Sequence, residues 1–377
     1  MLISNIITEA AATGRPFNHL EDLVLFHGSA GATQSLQRLQ DVMRQPQAVR
    51  WKWDGKPQVY WGREPDGTFI MTGHNGWLKP DGTGKTTKPG DLAKFIMNTG
   101  KAASDEEIKQ RQIFATEFAS LWPLFESATD KNFRGYVYGD LLYMRKPAVT
   151  NGNFVFTPNQ VTYSVSANSE LGKRIAASTA AVVGHAYFSE FGLPDRAQQP
   201  MDDFERFNHN AGLIVLGPKH AQPQKLQVNN AALKKIAALT QANAAEIDRF
   251  LSDDALSVNK MSNFKNVLYK FNNQQVRAGV TTGLAAKFPQ WLAGSGESGA
   301  MQQKIRNWID SNPKGYAAVF AILEGIRQLK DQIITQLDQQ QGDVQQSTGG
   351  QAGGEGYVLY NPEGNVKLVP RHRWAPH

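Results

Sequence analysis

Trp51-Lys52-Trp53-Asp54-Gly55 sets a lysine between two tryptophans and follows it with an acid and a turn glycine. Flanking indoles strip water from the amine, which favours its neutral, nucleophilic form. The plain alternative is an edge-strand lysine before an Asp-Gly turn, a common arrangement. Three further pieces follow in order. Gly135-Tyr136-Val137-Tyr138-Gly139-Asp140 ends an aromatic run in an acid, and Glu355-Gly356-Tyr357-Val358-Leu359-Tyr360 opens an apolar run with one. Asn365-Val366-Lys367-Leu368-Val369 places a lysine inside an alternating run. Lysines that meet a phosphate and carboxylates that hold a divalent cation are the groups phosphoryl transfer requires.

Holding these residues takes strands. Short runs rich in Val, Trp, Tyr and Phe between turn signals begin at 47: AVRWKW, PQVYWGR, TFIMTG, GYVYGDLLYM, NFVFT and QVTYSV. A helix is expected at 104–126, two short helices over 17–45 broken at Gly28-Ser29-Ala30-Gly31, and one strand at Gly212–Leu216 amid helical patterns after Leu171. From Asn229 to Gln341 the periodicity is helical almost throughout. QQQGDVQQSTGGQAGGEG then reads as a flexible linker, and the last residues as a hairpin turning at Asn361-Pro362-Glu363-Gly364. The expected plan is therefore an N-terminal helical segment at 1–46, a core at 47–222, a helical insertion at 223–345, and a linker with the last core strands at 346–377.

The 377 residues suffice for two domains with cores. The absence of cysteine excludes disulfides, thiolate metal sites and cysteine nucleophiles, and fits a reducing cytoplasm. No apolar run reaches the length of a membrane span, and MLISNIITEAAATGRPF lacks the form of a secretory signal. A net charge of +6 permits a polyanionic partner. Within 223–342 there are fourteen Lys and Arg against nine Asp and Glu, an excess of five. Lys260, Lys265, Lys270 and Arg277, interleaved with Phe264, Tyr269 and Phe271, suit a phosphate-backbone surface, the alternative being a solvated helical face.

In order and type, the four pieces resemble the motifs of the covalent nucleotidyltransferases, the superfamily of polynucleotide ligases and mRNA-capping enzymes, over 47–166 and 354–370. The resemblance implies an α+β fold with an antiparallel nucleotidyltransferase sheet core. It implies that Lys52 attacks the α-phosphate of ATP, that Asp54 positions Lys52 and the ribose, and that Lys367 contacts the α-phosphate. Trp51, Gly55, His74, Asp140, Tyr163 and Glu355 would then line the nucleotide, with Asp140 and Glu355 holding Mg²⁺ or Mn²⁺ and Tyr163 against the base. An ordinary core tyrosine is the other possibility at 163. Gly73-His74-Asn75-Gly76 stands where ligases carry an arginine, and His74 lacks that permanent bidentate charge. Asp140 replaces the usual glutamate. Ten residues after Lys367 leave no room for an oligonucleotide-binding barrel, so the insertion would grip the nucleic acid.

The expected activity is an ATP-dependent polynucleotide ligase acting on RNA or DNA ends, RNA favoured. Alternatives are an inactive binding or structural protein on the same scaffold, or an AMP transferase acting on protein. HLEDLVLFHG, VRWKWDGKP, TPNQVTYSV and ELGKRIAAS are similar to an uncharacterised family of tailed-phage proteins, which implies work in the cytoplasm of an infected bacterium. Gly82-Thr83-Gly84-Lys85-Thr86-Thr87 mimics a P-loop but has Lys79 where the first glycine belongs, so 76–90 reads as a basic loop. His19, Glu21 and Asp22 are expected to cap a helix.

Overall fold

Period-2 patterning in the first half of the chain and helical periodicity after 229 both become structure, and the molecule is α+β. The computed structural model describes residues 19–79, 81–98, 104–194, 197–199, 201, 203–208, 211–217, 226–227, 229–339, 342–359 and 366–374. The chain forms two compact units, each discontinuous in sequence. One takes Met1–Trp51, His220–Gln340 and Glu355–His377; the other takes Lys52–Lys219 and Gln341–Gly354. This division differs from a core with a separate insertion, because the helical segment groups with both ends of the chain. The lysine motif and the Glu355-Gly356 step fall at two of the four points where the chain passes between units.

In chain order the described strands are β1 (Val49–Trp51), β2 (Gln58–Arg63), β3 (Phe69–Gly73), β4 (Gly135–Tyr143), β5 (Val149–Thr150), β6 (Asn153–Phe156) and β7 (Val161–Ser166). They continue with β8 (Ala180–Phe188), β9 (Leu213–Leu216), β10 (Val344–Thr348), β11 (Gln351–Ala352), β12 (Tyr357–Leu359) and β13 (Val366–Leu368).

The helix-rich unit packs Pro313–Asp338 against Leu23–Arg44, which kinks at Gly28 with φ 60 and ψ −140. Its sheet has the order β1-β12-β13. The antiparallel pairing of β12 with β13 agrees with the expected hairpin, whose turn at 361–364 lies outside the described residues. His19, Glu21 and Asp22 make no side-chain cap here. They form a buried ionic cluster instead, in which Glu21 accepts from Lys330 Nζ at 2.7 Å and from Arg371 Nε at 2.9 Å. Arg371 also pairs with Asp22 and donates to Asn273. Buried charges persist only where such partners replace water. Burial would raise the Glu21 carboxyl, but Lys330 and Arg371 outweigh it and hold it well below the ordinary range. Burial, then Lys330 and Arg371, keep His19 well below its usual value and hence neutral.

The other unit has two five-stranded sheets, β3-β2-β4-β8-β9 and β11-β10-β7-β6-β5. In the first, the period of two sends Val59, Trp61, Val137 and Leu141 to one face, covered by Asp105–Ser120 and Trp122–Ala128. Tyr60, Tyr136 and Phe188 go to the other face, with Trp77. Ser104 caps the first helix through a capping box with Glu107. Two expectations change. Residues 344–348, read as linker, form β10 and pair with β7. Ala180–Phe188, read as part of a helical stretch, is β8, antiparallel to β4 and parallel to β9. Its buried Ala-Ala-Val-Val run fits a strand bonded on both edges, where tertiary pairing outweighs alanine's helical preference.

Candidate active site

Asp54 is the most tightly fixed of the residues singled out from the sequence. Its buried carboxylate accepts from Asn159 Nδ2 at 2.8 Å and from the backbone N–H groups of Gln160 at 2.7 Å and Val161 at 2.9 Å. Its own N–H donates to the Tyr163 hydroxyl at 2.6 Å. A carboxylate bound this way serves the turn before β7 and fixes the backbone that carries Lys52, itself half-buried. Trp53, on the far side of Lys52, is buried against Tyr163 with ring centroids 4.8 Å apart.

From Gly55 the chain runs along β4. Lys56 N–H donates to Leu141 O at 2.8 Å, and Leu141 N–H donates to Pro57 O at 2.9 Å. Gln58 then pairs with Asp140 in register. A Cβ on Gly55 would lie 2.6 Å from Asp140 Cβ, which explains why glycine follows Asp54. The lysine motif and Asp140 are thus neighbours within one unit.

Asp140 has a partner that sequence reasoning missed. His185 Nε2 lies 2.9 Å from Asp140 Oδ2, and with Nε2 protonated the ring donates to the carboxylate. Register shows why they meet. Tyr138 faces Ala186 while Gly139 faces Gly184, so His185 is the extra residue of a β-bulge. The Tyr138 hydroxyl is 3.5 Å from Asp140 Oδ1 and accepts from Gln58 Nε2 at 2.8 Å. Behind it, Tyr60 stacks between Trp77 at 4.5 Å and Tyr138 at 5.0 Å. The only signal for His185 in the sequence was a histidine in a short apolar run, which marks no site by itself.

Other expected residues are placed differently. Tyr163 is fully buried, its ring flanked by Trp53 and by Phe156 at 5.4 Å, so it is a core tyrosine rather than a platform for a base. His74 is exposed and begins the short helix His74–Trp77. Trp51, Glu355 and Lys367 belong to the helix-rich unit. There Trp51 is buried opposite Tyr357, and the exposed Lys367 sits opposite Val358. Gly356 takes φ +125 and a Cβ on it would collide with Leu368 O, so no other residue suits the step after half-buried Glu355.

The proposed nucleic-acid stripe is only partly a surface. Lys265 is buried, paired with Asp253 at 2.8 Å and donating to Phe26 O at 3.2 Å, so it fastens helices and contacts no phosphate backbone. Phe264 packs on Phe250, and Phe271 on Phe288, Trp291 and Phe320, which removes two of the three interleaved rings; Tyr269 stays half-buried, edge-on to Phe26. Lys260, Lys270 and Arg277 are exposed. The P-loop mimic is likewise structural, with Lys85 paired to Glu64 at 2.9 Å and lying over Phe191.

Among the described residues no group of three or more His, Asp or Glu side chains is arranged to hold a metal ion. Asp140 fits a single metal bond: Oδ2 is taken by His185, and Oδ1 has only the long Tyr138 contact. Mg²⁺ bound with a nucleotide commonly needs no more than one or two carboxylates.

No helix of the described residues is long and apolar enough to cross a membrane. No curated protein and no solved structure matches the chain. A family profile matches residues 104–376, nearly three quarters of the chain, which takes in Asp140, His185, Glu355 and Lys367 and begins after the lysine motif. On that match the chain belongs to DUF6267, a family of unknown function.

Proposed function

We propose that the protein is an ATP-dependent nucleotidyltransferase that forms a lysyl-AMP at Lys52 and uses it to join polynucleotide ends, RNA in preference to DNA. One observation supports this: Gly55 abuts Asp140, and Lys56 and Pro57, the next residues, bond Leu141 on β4, which sets the lysine motif beside the second motif of the resemblance.

Lys52 Nζ attacks the α-phosphorus, the bond to the β-phosphate breaks, and pyrophosphate leaves while the amine proton passes to water. A 5′-phosphate oxygen then takes the AMP from Lys52. Attack by a 3′-hydroxyl on that phosphate releases AMP and seals the strand. Asp54 fixes the lysine's backbone, and the Asp140–His185 pair offers one carboxylate oxygen and one ring nitrogen to a ribose or to the cation. The resemblance gives Glu355 the role of a metal contact and Lys367 that of an α-phosphate contact. Mg²⁺ or Mn²⁺ bound with the triphosphate supplies charge neutralisation at the transferring phosphoryl group.

A second reading, an inactive binding or structural protein on the same scaffold, is favoured by one observation. Tyr163 is fully buried against Trp53 and Phe156, which takes it out of use as the expected base platform. Incubation with α-labelled ATP or GTP and Mg²⁺ separates the two. An acid-labile label lost in Lys52→Ala supports the enzyme, and no label with either nucleotide refutes it. Chasing the label with nicked duplexes and 5′-phosphorylated RNA identifies the acceptor, while failure to pass AMP to any of them points to a protein acceptor.

A further inference from the structure

Where β4 begins and β8 ends, a cavity of about 350 Å³ is lined by Asn132, Phe133, Arg134, Tyr187, Met201 and Arg206. Arg134 is anchored despite its exposure. Its Nε donates to Pro65 O at 3.1 Å, and its Nη1 donates to Lys131 O and Phe133 O at 2.8 Å each. The Tyr187 hydroxyl donates to the Arg134 carbonyl at 3.1 Å. The preceding turn is fastened by buried Arg63, which donates to the carbonyls of Gly67, Glu126, Thr129 and Asp130. Four such bonds fix the loop, and three fix the Arg134 fork with its Nη2 edge uncommitted.

Arg206 lies over the Phe133 ring at 5.3 Å, a contact that orients a guanidinium without neutralising it. Among the described residues neither arginine pairs with a carboxylate. Asp130 accepts from Asn132 N–H at 2.6 Å, and Glu205 accepts from Asn208 at 3.0 Å and pairs with Arg174 at 3.6 Å; Asp66 accepts from Thr68 N–H at 2.8 Å and also feels the charge of Arg134 without forming an ion pair with it. Two oriented guanidiniums lining one cavity suit a tetrahedral oxyanion, which Arg206 can meet with two N–H groups and Arg134 through Nη2.

We infer that this arginine-lined cavity binds a backbone phosphate of a single polynucleotide strand. That the phosphate belongs to a polynucleotide rests on the proposed function; the anion preference rests on the two arginines alone. The cavity would supply the grip that the buried Lys265 and the buried rings of the helical unit do not.

The test is fluorescence anisotropy of labelled single-stranded RNA and DNA oligonucleotides across a salt series, with Arg206→Ala, Arg134→Lys and, as a control on an exposed helical lysine, Lys287→Ala. Melting temperatures report whether each variant is folded. Arg206→Ala should weaken binding about tenfold at low salt and lower the salt slope by about one, and Arg134→Lys should weaken binding with the slope kept because its charge remains, while the control does neither. Equal binding by all four proteins, or wild-type binding of an acidic peptide but of no oligonucleotide, overturns the inference. A Lys52 label from ATP is read separately. Label without discrimination by the pocket variants refutes the pocket alone, and discrimination without label refutes the proposed chemistry alone.

Discussion

Three of the residues singled out from sequence meet in one neighbourhood for reasons of hydrogen bonding and steric fit. Asp54 accepts three hydrogen bonds, so Asp54→Ala orphans the buried Val161 N–H and the part-buried Gln160 N–H. We predict a loss of about 2–4 kcal/mol in urea unfolding, with Asp54→Asn losing less because its amide oxygen still accepts. Gly55 and Asp140 approach to a distance only glycine allows. His185 bonds Asp140 from a bulge that no local pattern announces, and replacing it should change chemistry more than fold. His185→Ala is expected to shift the melting temperature little and to slow labelling of Lys52 at least tenfold, read as a time course with labelled ATP. Asp54 and Asp140 were legible as acids at telling places in their runs. His185 was not, because its role depends on a partner strand more than forty residues away.

Among the elements, most of those with strong periodicity were legible: β2, β3, β4, β6 and β7, and the helices after 229. Those that failed owe their structure to pairing. β8 reads locally as helix and β10 as linker, yet each is held between two neighbouring strands. The ionic cluster joining the start of Leu23–Arg44, the helix Pro313–Asp338 and the segment after β13 escaped notice because its members lie up to 350 residues apart. Glu21→Gln leaves Lys330 and Arg371 short of a buried counter-charge and should cost about 3–5 kcal/mol, measured by chemical denaturation. Nearby, burial pushes the Asp331 carboxyl up to about 6, against the pull of Lys330. A carboxyl raised above its unfolded value contributes stability in full below about pH 4 and loses it as pH rises through about 6. Asp331→Asn should therefore be more stable than wild type at pH 8, by about 1–3 kcal/mol, with the gap closing below pH 4 in a pH series of denaturant melts. Gly356→Ala forces a side chain into left-handed backbone beside Leu368 O and should destabilise the β12–β13 pair, seen as faster amide exchange over 357–368.

For the molecule as a whole, the division into units alters what the sequence suggested about the helical segment. It is no isolated insertion, since 220–340 packs with the chain's first and last segments. Of the residues singled out from sequence, Lys52, Asp54 and Asp140 lie in one unit and Glu355 and Lys367 in the other. Fold class could be read from periodicity, whereas the grouping of segments could not, because packing of distant helices leaves no mark on local spacing. In the proposed reaction Lys52 carries the nucleotide. Intact-mass measurement after incubation with ATP and Mg²⁺, followed by peptide mapping, tests it most directly. We predict one added AMP, located on Lys52, released by pyrophosphate and absent from Lys52→Ala; an unchanged mass, or an adduct on any other residue, would contradict it.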